Sequence, residues 1–137
     1  MKKTLCLDFD GVLHSYTSGW VAPHFIPDPP VPGAFEFLYH ALDHFEVVIF
    51  SSRSNQEGGI EAMSTWIEYW ARKELTNAEP DWRANRVINL ISTKKSAFPT
   101  KKPSAFVTLD DRAITFSGVF PPIGELLDFQ PWNKRNG

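Results

Sequence analysis

A single cysteine, Cys6, is present among the 137 residues, so no internal disulfide can form and no cysteine metal knuckle exists. Its place inside the first apolar run makes it a packed core thiol. Long hydrophobic runs are missing as well, and no stretch approaches the ~18 apolar residues that read as a membrane span. The opening "MKK" before apolar residues has the look of a signal peptide, but Asp8 and Asp10 interrupt it too early. Charge of one sign is scarce too. A formal net charge of −2 supplies no global attraction to nucleic acid or to an anionic membrane, although it leaves room for a local basic patch. These absences describe a soluble, cytoplasmic protein with no membrane partner. The 42% of hydrophobic residues excludes a disordered chain, and the length suits one domain with a proper core.

The apolar residues that are present fall into alternating strand and helix patterns. "KTLCLDFD" reads as a short buried strand that ends in a turn at Gly11. Residues 14 to 33 carry five prolines with Tyr16, Trp20 and Phe25, which predicts an ordered loop or flap. "AFEFLYHALDHF" has Phe35, Leu38, Leu42 and Phe45 at helical spacing, with Pro32 near its start. "EVVIFSSRS" is a second buried strand. From Gly58 to Leu75 a longer helix sets Ile60, Met63, Ile67, Trp70 and Ala71 on one core-facing stripe. Residues 76 to 85 read as polar and irregular, and "RVINLI" (86–91) as a third strand. "SAFVTLDD" repeats the opening pattern of an apolar strand ending in two aspartates. "AITFSGVF" (113–120) suits a short strand or hairpin, "PPIGELLDF" a small helix, and "QPWNKRNG" a tail. Strands alternating with helices imply an α/β fold: one Rossmann-like domain with a parallel sheet flanked by helices. In such sheets the reactive edge lies beyond the carboxyl ends of the strands.

Asp8 and Asp10 close the first strand two residues apart, which on an extended segment places them on one face. At ~5 Å and an effective dielectric of ~20 they repel by roughly 3 kcal/mol, so they splay into water or a cation is held there. Two further strand ends supply polar chemistry to the same edge. The second strand brings Ser51, Ser52 and Arg53, and the last brings Asp110 and Asp111, preceded by Lys101 and Lys102. Four carboxylates without cysteine form a hard-oxygen site suited to magnesium, which completes its shell with water and phosphate oxygens. A lysine and a hydroxyl suit the remaining phosphate oxygens.

In order along the chain, "DFDGV" (8–12), "IFSSR" (49–53), "KP" (102–103) and "LDDR" (109–112) resemble the four motifs of the haloacid dehalogenase superfamily of phosphotransferases. With their strands they cover residues 4 to 112, most of the chain. The resemblance implies that Asp8 attacks phosphorus to give an aspartyl phosphate. Asp10 then protonates the leaving oxygen and later deprotonates the hydrolytic water. It implies that Ser51 and Lys102 hold phosphoryl oxygens, and that Asp8, the Asp10 backbone carbonyl and the Asp110–Asp111 pair hold magnesium. Asp111 is the implied direct ligand and Asp110 its outer-shell partner. Residue types agree: a carboxylate nucleophile needs no deprotonation at neutral pH, and metal and lysine neutralise the phosphoryl charge. An aspartate at the second position separates phosphatases from dehalogenase-type members, so a phosphate monoester is the expected substrate.

Neither insert between motifs is long enough for a separate cap domain. The resemblance therefore implies an open site, for a phosphorylated nucleic-acid end or for closure by a partner subunit. "SSR" followed by "LDDR" is similar to the phosphatase half of polynucleotide kinase–phosphatases, which act on 3′-phosphate ends. A small nucleotide held by Tyr16 and Trp20 is equally compatible, because aromatic rings stack on bases. Trp20 also suits burial as an anchor of its loop. Ser51 suits a strand-end cap as well as a phosphate contact, and Arg53 suits a salt bridge as well as a substrate contact. Lys102 is favoured over Lys94, Lys95 and Lys101 by its place next to Pro103 and the last strand. His14 and His24 are expected as solvated flap residues, and His40 and His44 on a helix surface. Two other classes remain: a receiver-like phosphoacceptor module, and a catalytically silent binding protein with the same fold. None of these motifs encodes an oligomeric state.

Overall fold

Three stretches of the chain run extended and parallel in the computed structural model, which describes residues 1–75 and 82–134. They are β1 (Lys3–Leu7), β2 (Phe45–Ile49) and β3 (Val107–Leu109), in the order β2-β1-β3. The register pairs Leu7 with Ile49 on one side and with Leu109 on the other, so all three strands finish level. Whatever follows each strand therefore emerges at one edge.

Parallel neighbours need crossovers. The flap and α1 (Ala34–Ala41) join β1 to β2; α2 (Gly59–Glu74), α3 (Trp82–Ser92) and α4 (Lys94–Ala97) join β2 to β3. A short α5 (Ile123–Leu127) and a 3-10 turn (Trp132–Lys134) follow. The result is a single small α/β domain with a parallel sheet flanked by helices. Its core gathers Leu7, Phe9, Leu38, Ile49, Met63, Ile67 and Val87, all fully buried. Each such side chain contributes roughly 1.5–3 kcal/mol. On α2, Met63, Ile67 and Ala71 face this core and Ile60 and Trp70 are half-buried against it. Glu61 in its first turn and Arg72 and Lys73 in its last complement the helix dipole.

Three segments depart from expectation. Residues 86–91 are helical, inside α3, and not a strand. Ala84, Val87 and Ile91 are the buried positions, a helical spacing that the apolar run "VINLI" conceals when read alone. Residues 113–120 form no strand; β3 is the last strand among the described residues, and nothing pairs with its outer edge there. The first helix ends at Ala41, and Phe45 opens β2 instead of continuing the helix. Of the stretch expected to be irregular, 76–81 lies outside the described residues and 82–85 belong to α3, as 135–137 of the tail also lie outside. Among the described residues no helix is long and apolar enough to cross a membrane.

Candidate active site

The level strand ends set the site. Asp8 follows β1, its backbone N–H donating to the Leu109 carbonyl at 3.0 Å, while the Phe50 N–H donates to the Leu7 carbonyl at 3.0 Å. β1 is first in the chain but central in the sheet, so its tip is flanked on both sides. Ligand oxygens of Asp8, Asp110 and Asp111 lie within 4.8 Å of one another. Gly11, at φ +83°, lets the following loop pass close by, where a Cβ would collide with the Asp111 carboxylate.

Burial pushes the Asp8 carboxyl up to about 8, reinforced by a hydrogen bond with Asp111 and the charge of Asp110, and opposed by the Phe9 N–H donated to Asp8 Oδ1 at 2.8 Å. Three carboxylates this close do not all stay ionised unaided. An all-oxygen donor set with a surplus of negative charge fits a hard divalent cation such as magnesium.

Beside Asp8 a cavity of about 200 Å³ is lined by Ser51, Ser52, Lys102, Thr108, Asp110 and Cys6. Ser51 and Lys102 thus stand with the nucleophile candidate, and neither Lys95 nor Lys101 lines this space. Ser51 also caps the short 3-10 turn Ser52–Asn55: its Oγ accepts from the Arg53 N–H at 3.1 Å, and the Ser54 Oγ accepts from the Ser51 N–H. The cap fixes the hydroxyl and leaves its proton available. Burial raises the Cys6 thiol, as befits a core residue. A larger groove of about 610 Å³, lined by His24, Glu61, Trp66 and Trp70 among others, does not include the acidic cluster.

Asp10 does not join the three carboxylates through its side chain. Its carboxylate turns to Arg53, whose Nε donates to Oδ2 at 2.9 Å and whose Nη2 donates to Oδ1 at 3.1 Å. Splaying apart, with a protein cation meeting the second carboxylate, is how the chain resolves the repulsion expected at the first strand's end.

Arg53 is consequently unsuited to contact substrate. It is 0% exposed, and its Nη1 donates to the carbonyls of Ala22, Pro23 and Phe25 on the flap. Gly59 makes room for this turn, since a Cβ there would collide with the Arg53 carbonyl.

His14 also corrects expectation. It is fully buried, stacked near Phe9 and edge-on to Trp66. The Asp28 N–H donates to its Nε2 at 3.1 Å, which leaves Nδ1 as the donor to Asp10 Oδ1 at 2.8 Å. Burial works to raise Asp28, but hydrogen bonds from the Ser18 hydroxyl and N–H, with His14 alongside, hold its carboxyl below the ordinary value. His24 is exposed on the flap and His40 on the surface of α1, as expected, while His44 is exposed in the turn after α1 and not on the helix.

The flap's aromatic residues diverge. Tyr16, half-buried at φ 60°, sits edge-on to His14, and burial together with Asp10 raises its hydroxyl. Trp20 lies over the Arg53 guanidinium at 4.7 Å and remains 42% exposed. Sequence reasoning missed three contributors. Asp28 and Trp66 pin the flap, the Trp66 indole N–H donating to the Asp28 carbonyl at 3.1 Å. Trp132 of the tail donates to the Gly11 carbonyl at 2.7 Å while 48% exposed, which puts an indole beside the acidic cluster. An acid between prolines, "PDPP", was a usable signal for Asp28; nothing local announces Trp132. Compared with known proteins, the chain matches no family model, no curated protein and no solved structure.

Proposed function

We propose that the protein is a magnesium-dependent phosphomonoesterase of the haloacid dehalogenase type, acting on a nucleotide or a phosphorylated nucleic-acid end. The observation that carries this reading is the convergence of Asp8, Asp110 and Asp111 within 4.8 Å beside a cavity that also holds Ser51 and Lys102. Magnesium would be held by Asp8, Asp111 and the Asp10 carbonyl, with Asp110 as outer-shell partner, and would supply charge neutralisation at the phosphoryl group. Asp8 attacks phosphorus as the ester oxygen departs, giving an aspartyl phosphate. The leaving oxygen takes a proton from Asp10. Water then attacks the same phosphorus, gives a proton back to Asp10, and releases inorganic phosphate with Asp8 restored. Asp10 Oδ2, which carries one Arg53 bond where Oδ1 carries three contacts, is the oxygen with room for that proton. Lys102 and the Ser51 hydroxyl bind the non-bridging oxygens. The same reading places the protein in the cytoplasm, consistent with its one buried, unpaired cysteine.

The test is phosphate release from an aryl phosphate, nucleotides and oligonucleotides phosphorylated at either end, with magnesium and with excess EDTA. Magnesium-dependent turnover is expected, with calcium a poor substitute because its looser shell misplaces the nucleophile. Full activity in EDTA overturns the mechanism. Stoichiometric phosphorylation without turnover would instead favour the receiver-like module, a class that the central position of β1 does not disfavour.

A further inference from the structure

The surface beyond β3 is unlike the rest of the molecule. Ile114, Phe116, Val119 and Leu126 line an apolar dent of about 310 Å³. Phe120 packs on Phe116 with ring centroids 4.9 Å apart, yet is 84% exposed, and Leu127 is 80% exposed. With Ile123 on α5, these side chains are about two-thirds exposed on average. At ~200 Å² for a large apolar residue they leave on the order of 900 Å² open to water. That exceeds the patch a monomer ordinarily shows, and it matches the ~800 Å² per partner of a stable interface.

We infer that this patch is a self-association surface, taking a second copy of this chain about a twofold axis. Two features favour that occupant. The patch holds both a dent and protruding apolar knobs, so each copy can place Phe120 or Leu127 against the other's dent, the self-complementarity an isologous interface requires. Its charge is the second. Residues 113–132 contain Glu125 and Asp128 and no lysine or arginine. A nucleic acid would be repelled, and an anionic lipid surface would lack the basic residues that such binding uses.

The experiment is sedimentation velocity on the full chain through a micromolar dilution series. A species of twice 15.6 kDa is expected. Phe120→Asp and Leu127→Asp should each raise the dimer dissociation constant roughly a thousandfold, since twofold symmetry places each lesion in the interface twice. Neither should change the circular dichroism or the melting temperature of the monomer. Phe37→Asp, at an exposed site on α1 outside the patch, should leave the dimer intact. Wild-type chain that stays monomeric at every concentration overturns the inference, whether or not it binds vesicles or another protein. So does a dimer that survives both substitutions. Should one variant misfold, the other and the wild-type mass still decide.

Discussion

The two acidic pairs of the candidate site stand in opposite surroundings. Asp8 and Asp10 follow a central strand among buried neighbours: Phe9, His14 and Arg53 are fully buried, and His14 and Arg53 both bond the Asp10 carboxylate. Asp110 and Asp111 end an edge strand of three residues, all exposed, followed by loops whose apolar side chains face water. The first region can hold the Asp10 carboxylate at one orientation because its neighbours are buried and hydrogen-bonded to it. The second holds position mainly through β1, via the pairs Cys6–Thr108 and Leu7–Leu109. Packing thus fixes the Asp8–Asp10 side, and the Asp110–Asp111 side is the more exposed of the two.

The sharpest way to break this comparison is at the carboxylates themselves. Asp8→Asn should reduce phosphate release by about 10⁴-fold or more, as nucleophile deletions do, because an amide cannot form the acyl phosphate. Asp110→Asn, on the exposed edge, should cost only about 10–100-fold, the usual loss of an outer-shell partner. Unchanged turnover in Asp8→Asn would remove the nucleophile assignment, and equal losses would remove the distinction between the pairs.

Stability should divide the same way. Arg53→Met removes the cation from Asp10, leaving it the His14 bond, and withdraws a donor from the carbonyls of Ala22, Pro23 and Phe25, and breaking one partner of a buried pair costs about 3–5 kcal/mol. Arg112→Met, exposed beside β3, should stay within ~0.5 kcal/mol. Urea unfolding of both variants measures the contrast, and similar midpoints would deny Arg53 its clamping role.

The third expectation concerns pH without divalent cations. Asp8 titrates near its ordinary 3.8 when unfolded and at about 8 when folded. Between those values the folded state holds a proton that the unfolded state has released, so stability is greatest below pH ~4 for this group and falls as pH rises to ~8. Magnesium should therefore raise the melting temperature more at pH 8 than at pH 5. A cation effect independent of pH would contradict the crowding of Asp8 by Asp110 and Asp111.

The smallest effect separates the two half-exposed indoles, one from each region. Trp20→Ala and Trp132→Ala should each cost roughly 1–3 kcal/mol of nucleotide binding if the rings stack on a base, with a minimal aryl phosphate nearly unaffected. A Trp20 loss that is equal on both substrates, accompanied by a lower melting temperature, would show that its contact with Arg53 is what matters.

Much of the architecture was legible because it is local. Apolar runs at 3–7, 45–49 and 107–109 announce strands, although the three residues of β3 turn out exposed, and α2 is announced by the spacing of Met63, Ile67 and Ala71. Residues 86–91 misled because a short apolar run has no period of its own; only the face that docks on α2 and α1 distinguishes helix from strand there.

By itself the sequence determined the order of the acidic, hydroxyl and lysine segments and the alternation that makes a parallel sheet. From those two facts the meeting of Asp8, Ser51 and Asp110 at one edge follows, since parallel strands in this register finish level, whereas Lys102, which precedes β3, is brought there by the fold. What only the tertiary structure decided is which carboxylate meets which cation. The Asp10–Arg53 pair spans 43 residues and the Trp132–Gly11 bond 121, distances over which side-chain pairing depends on how loops close. A carboxylate that has to leave water takes whichever donor the packed chain brings within about 3 Å, and no pattern in the neighbouring residues records that choice.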